Sequence, residues 1–102
     1  MAVDQTLLDE LTDRLSPLGD FTQKRMFGGV GLFAEGKMFA MMTAKGAVAF
    51  KADSDCVEQF TALGLEKFGR TPYYILTADQ LEDDEAIVSL GTLALGAASR
   101  AG

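Results

Sequence analysis

The chain has 102 residues, 48% of them hydrophobic and 24% charged, which is the composition of a globular protein with one core. Its net charge of -6 repels phosphate and argues against direct nucleic-acid binding. Residues 38–42 form the longest uninterrupted apolar stretch, which is far shorter than a membrane span, and the N-terminus lacks the pattern of a signal peptide. We therefore expect a cytoplasmic protein with a single domain over residues 1–102.

The lack of histidine and the presence of a single cysteine limit the chemistry that the chain can perform. The chain has no histidine, which is the commonest general base and metal ligand, and Cys56 is its only cysteine. No internal disulfide is therefore possible, and we expect Cys56 to be a buried apolar residue. The sequence thus predicts no catalytic residue, no cofactor and no metal site, which indicates a protein that is not an enzyme.

The first predicted element is a helix over residues 5–15. Asp4 is placed to cap it, and Leu8, Leu11 and Leu15 recur at helical spacing to form its apolar stripe. Pro17 predicts its end, because proline disfavours helical geometry in the residue before it.

Three antiparallel strands are predicted next, over residues 27–34, 37–43 and 47–51, after a short extended entry at 21–26. Glycine-containing turns at 35–36 and 45–46 separate them. Gly28, Gly29 and Gly31 weaken the first strand, so we expect a bulge or a close approach of two backbones there.

Both faces of these strands are predicted to be apolar. Simple alternation directs Met38 and Met42 to one face and Phe39 and Met41 to the other. An antiparallel sheet with one face in water should alternate apolar with polar residues. Either helices cover both faces, for which three helices are few, or one face is buried against a second copy of the chain. We therefore expect a homodimer.

The second half of the chain supplies a short helix that ends at Gly64, a loop at 65–70 that should pack Phe68 into the core, a strand at 71–77 and a last helix at 83–99. Alternation along this strand directs Tyr73 and Tyr74 to opposite faces. Capping boxes are predicted at Asp55 with Glu58 and at Asp79 with Glu82. The resulting order α-β-β-β-α-β-α predicts an α+β fold, a two-layer α/β sandwich with an antiparallel sheet.

One stretch carries a family resemblance. The run Arg-Met-Phe-Gly-Gly-Val-Gly-Leu-Phe at residues 25–33, followed by Phe-Ala-Met-Met at 39–42 and Ala-Phe-Lys-Ala-Asp at 49–53, resembles the N-terminal domain of the TfoX/Sxy competence-regulator family. The resemblance implies a fold similar to the secretion-chaperone-like and YjbR-like folds. It also implies a non-enzymatic regulatory or protein-interaction module with a protein partner in transcription regulation. The separate C-terminal domain of full-length regulators has no counterpart in these 102 residues.

Six residues are the candidate interaction sites. Arg25 is a candidate anchor for a carbonyl or carboxylate. At least one of Tyr73 and Tyr74 is expected to reach a boundary where its hydroxyl finds water or a partner. The alternative function is a small-ligand or anion-binding domain that uses Arg25 and the backbone of residues 28–31. The full set of candidates is Lys24, Arg25, Phe27, Gly28, Gly29 and Tyr73.

Overall fold

One antiparallel sheet of six strands organises the computed structural model, which describes residues 5–26, 29–43 and 46–100. The predicted cap Asp4, the turn residue Lys45 and the candidate site residues Phe27 and Gly28 lie outside the described residues. The strands are β1 (Thr22–Met26), β2 (Gly29–Ala34), β3 (Lys37–Met42), β4 (Val48–Lys51), β5 (Glu66–Lys67) and β6 (Tyr73–Ile75). Their order across the sheet is β1-β2-β3-β4-β6-β5.

The described helices are short except at the two ends of the chain. Pro17 lies in a 3-10 turn, Ser16–Leu18, directly after the first helix, so the predicted helix end is confirmed. The helices are α1 (Gln5–Leu15), α2 (Val57–Ala62), α3 (Ala78–Glu82) and α4 (Asp84–Arg100).

The core lies between one face of the sheet and the helices. Leu8, Leu11 and Leu15 of α1 are buried as their helical spacing predicts. Helix α4 buries Ile87, Leu90 and a line of alanines beside them. The sheet contributes Leu32 and Phe50, and Phe60 joins from α2. Burying a leucine or phenylalanine contributes about 1.5–3 kcal/mol each, so this layer supplies most of the stabilising free energy.

The α+β fold and the antiparallel sheet are confirmed, but the predicted order of elements was too short. The entry segment is a full strand, because β1 pairs with β2 along its whole length, from Thr22 opposite Phe33 to Met26 opposite Gly29. Residues 66 and 67, expected in a loop, form strand β5 against β6.

The last helical region is divided in two. Thr77 and Gln80 form the capping box that begins α3, where Asp79 and Glu82 were predicted to do so. Asp83 is extended, and its Oδ1 accepts hydrogen bonds from the backbone N–H groups of Glu85 and Ala86, so α4 begins anew one residue later.

A β-bulge in β3 overturns the predicted facing of its residues. Leu32 pairs with Ala40 while Phe33 pairs with Met38, which leaves Phe39 without a partner in β2. The extra residue reverses the alternation beyond it. Phe39 therefore joins Ala40 in the core, where its ring centroid lies 4.8 Å from that of Phe21 with the two planes tilted by 46°. Met38 shares the opposite face with Met41.

Candidate functional site

The sheet has one face that the helices leave uncovered, here called the outer face. Directly paired residues of neighbouring strands share a face, and every second residue along a strand returns to it. The outer face consists of Thr22, Lys24, Gly29, Gly31, Phe33, Met38, Met41, Ala49, Lys51, Glu66, Phe68, Tyr73 and Ile75.

An open apolar cleft of about 400 Å³ lies on the outer face. Met38 and Met41 line it from β3, and Phe68 and Pro72 line it from the connection between β5 and β6. The methionine and phenylalanine side chains are only half buried. Flexible methionines beside an aromatic ring form an adaptable apolar surface, which suits contact with another molecule.

Tyr73 borders this cleft and confirms the expectation that its hydroxyl finds a partner. The hydroxyl donates to the backbone carbonyl of Met38 at 3.2 Å. The β3–β4 ladder extends only from Ala40 to Met42, so Met38 has no partner across that ladder. Burial raises the pKa of Tyr73, and the phenol stays protonated as a donor at neutral pH. Tyr74 faces the other way and packs on Phe60.

Gly29 allows β2 and β3 to approach closely at the end of the cleft. A Cβ atom there would overlap the carbonyl oxygen of Met42 and lie 3.1 Å from the Cα of Thr43. The predicted close approach is therefore confirmed at Gly29, while the bulge lies in β3 at Phe39.

Lys24 and Arg25 are both exposed, but the strand separates them. Lys24 pairs with Gly31 on the outer face, and Arg25 pairs with the core residue Val30 on the helix side. Neither forms an ion pair with any residue that the structure describes. The two cations of the predicted anion site thus point to opposite sides of β1.

Cys56 is buried beside an ion-paired carboxylate. The Arg100 guanidinium contacts Asp53 through two nitrogens, at 2.6 and 2.9 Å, and Nε lies 3.2 Å from Asp55. Hydrogen bonding to Arg100 holds the pKa of Asp53 well below its usual range, and burial raises the pKa of the Cys56 thiol. This arrangement stabilises a neutral thiol, which is poorly nucleophilic.

The beginning of α2 differs from the prediction because of this same carboxylate. Cys56 is the N-cap residue and makes no side-chain capping bond, so the capping box of Asp55 with Glu58 was wrong. Asp53 instead accepts a hydrogen bond from the backbone N–H of Asp55.

Charges separate between the two layers of the fold. Most acidic residues lie on the helices or in the segments that lead into them. The two described arginines on helices, Arg14 and Arg100, are both ion-paired with carboxylates there, Arg14 with Asp84 at 3.1 Å. The remaining described cations lie on the strands and in one loop: Lys24, Arg25, Lys37, Lys51, Lys67 and Arg70.

The cleft contains residues that sequence reasoning missed. Phe68 was expected to pack into the core, and Met38 was assigned to the wrong face. Phe68 is hydrogen-bonded to Tyr73 across the β5–β6 connection, so the two residues share a face. Recognising this strand pair in the sequence could have placed Phe68 at the cleft, whereas no local signal marks the bulge at Phe39.

The described ranges contain neither a metal-binding cluster nor a helix that could span a membrane. Residues 5–26, 29–43 and 46–100 contain no group of three or more Cys, Asp or Glu side chains arranged to hold a metal ion. No helix within those ranges has both the length and the apolarity needed to cross a bilayer.

Comparison with known proteins identifies a family for this chain. Residues 13–98 match the TfoX N-terminal domain family. Over 51 residues the chain is 41% identical to the DNA transformation protein TfoX1 of Aliivibrio fischeri, and this match covers 50% of the chain and 24% of that protein. The chain therefore spans only part of the length of that relative. Because the family match includes every strand of the sheet and nearly all of α4, this chain belongs to the TfoX N-terminal domain family.

Proposed function

We propose that this chain is a non-enzymatic, cytoplasmic protein-interaction module in the regulation of DNA transformation, and that it acts as a homodimer. Family membership and the similarity to a DNA transformation protein support the regulatory part. The observation that carries the interaction part is the outer face, where an apolar cleft of about 400 Å³ lies open opposite the helix layer.

The energetics of the outer face favour contact with a protein. Met38, Met41 and Phe68 keep part of their apolar surface in water. Covering apolar surface contributes about 25 cal/mol per Å², and interface cores are enriched in methionine and aromatic residues. We therefore propose that this face binds a protein that covers these side chains, and that it catalyses no reaction.

A genetic experiment tests the regulatory part. Deletion of the gene in its native bacterium should change the frequency of transformation by added DNA, together with the transcript levels of the DNA-uptake genes. The wild-type chain should restore both, and Met41→Glu, which places a charge in the cleft, should not. Thr6→Glu on the exposed side of α1 is the matched control and should restore both. An unchanged transformation frequency in the deletion strain would overturn the role in transformation.

Sedimentation equilibrium tests the homodimer separately. We expect a mass twice that of the chain at micromolar concentration, with Met41→Glu shifted toward the monomer. A monomer at all concentrations up to the millimolar range would refute the homodimer and leave the genetic result standing.

The cleft also favours a second candidate, the binding of a small ligand. Its apolar lining and the position of Arg25 on the other side of β1 favour an apolar ligand over an anion. Saturable quenching of tyrosine fluorescence by a hydrophobic probe, lost in Met41→Glu, would support this candidate.

A further inference from the structure

We propose that two copies of this chain join through their outer faces about a two-fold axis parallel to the strands, so that Lys24 of each copy pairs with the partner's Glu66. This inference rests on the homodimer of the proposed function and adds the contacting surface, the symmetry axis and the specific ion pairs.

A single row of residues on the outer face crosses the whole sheet. The register joins each of its six residues directly to the next, so all six lie on the outer face. The charged row consists of Lys24 on β1, Gly31 on β2, Met41 on β3, Ala49 on β4, Ile75 on β6 and Glu66 on β5. It carries a cation at one end, an anion at the other and apolar residues between them.

A two-fold axis parallel to the strands lays the charged row over its own reverse. Each strand then crosses its counterpart from the opposite edge, so Lys24 meets the partner's Glu66 at both ends of the interface. The same operation sets Met41 against the partner's Ala49 and Ile75 against the partner's Gly31. Long side chains therefore face small ones, which is how the inner faces of stacked sheets interdigitate at a spacing of about 10 Å.

A two-fold axis perpendicular to the strands gives the opposite result. It lays β1 over the partner's β1 and β5 over the partner's β5, so that like charges face each other. Like-charge pairs at an interface are unfavourable and exclude wrong arrangements. The distribution of charge along the row therefore selects the parallel axis.

The exposure of the row fits an interface. Lys24 and Glu66 are both exposed and have no ion-pair partner among the residues that the structure describes. Met41 and Ile75 are partly exposed, whereas Gly31 and Ala49 are buried between their larger neighbours. The side chains that rise from the face are thus the ones that the partner would cover.

Lys51 is the remaining charged residue on the outer face. It lies at the end of β4, outside the charged row, and is half buried. Its long aliphatic stem can cover apolar surface and still carry the ammonium group to the rim.

Cross-linking tests the axis directly. In the double variant Lys24→Cys with Glu66→Cys, the two sulfurs of one chain are separated by five strand spacings of about 4.8 Å, or about 24 Å. A bismaleimide that reaches about 10 Å, the spacing of stacked sheets, can then join them only between copies. We expect a covalent dimer from this variant. Native Cys56 is buried, and the wild-type chain provides the background.

The matched control is Arg25→Cys with Lys67→Cys, on the same two strands but on the helix side of the sheet. We expect this control to remain monomeric on a denaturing gel. Lys24→Cys alone should also fail to cross-link, because the parallel axis places its two copies at opposite edges. A covalent dimer from Lys24→Cys alone, or an equal yield from the helix-side control, would overturn the proposal.

Charge reversal provides a second readout. Glu66→Lys should raise the dimer dissociation constant about 10-fold, because two exposed pairs become repulsive, and adding Lys24→Glu should restore it. If neither charge reversal changes the dimer dissociation constant and the double-cysteine variant does not cross-link, this interface is wrong but the homodimer stands. A chain that is monomeric throughout overturns the homodimer itself and this inference with it.

Discussion

Replacing Gly29 by alanine should destabilise the protein, although glycine to alanine in a strand normally stabilises it. Alanine usually gains about 0.5–1 kcal/mol at such a position, because glycine loses more conformational freedom on folding. At Gly29 the new methyl group would overlap the carbonyl oxygen of Met42 and press on Thr43. Both neighbours are backbone atoms of the adjacent strand, so neither can rotate away.

The magnitude follows from this overlap. Overpacking that shifts backbone costs about 1–3 kcal/mol, which exceeds the entropic gain and leaves a net loss of about 1–2 kcal/mol. For a domain of this size, such a loss lowers Tm by about 5–10 °C. Urea denaturation followed by circular dichroism should give a lower midpoint with an unchanged slope.

Gly96→Ala is the matched control. It lies inside α4, where a Cβ atom would meet only the guanidinium end of Arg100, at 3.2 Å. The end of this long side chain needs to shift by only a few tenths of an ångström, and its ion pair with Asp53 is exposed, so the alanine should raise stability by up to about 1 kcal/mol through helix propensity. Gly91→Ala, which contacts the ends of Leu15 and Leu18 at 2.9 Å, should fall between the two. If Gly29→Ala is as stable as the wild type, the close approach of β2 and β3 is wrong.

Three further predictions concern single interactions. Tyr73→Phe should lower the free energy of unfolding by about 1 kcal/mol, because the carbonyl of Met38 loses its donor, and an unchanged urea midpoint would contradict this. Arg100 holds the pKa of Asp53 below its ordinary value, so this carboxylate stabilises the fold above about pH 4 and the contribution disappears as pH falls through the folded-state pKa. The stability gap between wild type and Asp53→Asn should therefore be full at neutral pH and shrink in acid, whereas a gap that widens in acid would reverse the sign. Finally, mobility-shift assays should show no salt-sensitive binding of duplex DNA, since the chain carries a net charge of -6.

The sequence predicted the parts of this fold that depend on local patterns. Helix α1 followed from the spacing of its leucines and from Pro17, and the turn at Gly36 followed from its need for a positive φ, observed at 81°. The opposite directions of Tyr73 and Tyr74 followed from simple alternation. Each of these depends on neighbours within a few residues.

The remaining features depend on contacts that are distant in sequence. Strand β1 reads as polar and exposed, and only its pairing with β2 makes it a strand. The bulge at Phe39 turns its ring into the core, where it packs against Phe21, and no periodicity in the sequence reveals this contact. The candidate site was predicted in part for this reason: Tyr73 and Gly29 border the cleft, while Arg25 lies on the other side of β1 and Phe68 was assigned to the core.

The separation of charge between the layers also affects whether the proposed dimer can contact DNA directly. In the proposed dimer joined through the outer faces, the acidic helices of both copies form the two outer surfaces. Lys24 is then paired with the partner's Glu66 at the interface. Two copies together carry a net charge of -12, twice the -6 of one chain, so the proposed dimer repels a DNA backbone on average. Under the regulatory role proposed above, we therefore expect contact with DNA to require a partner that supplies the positive surface.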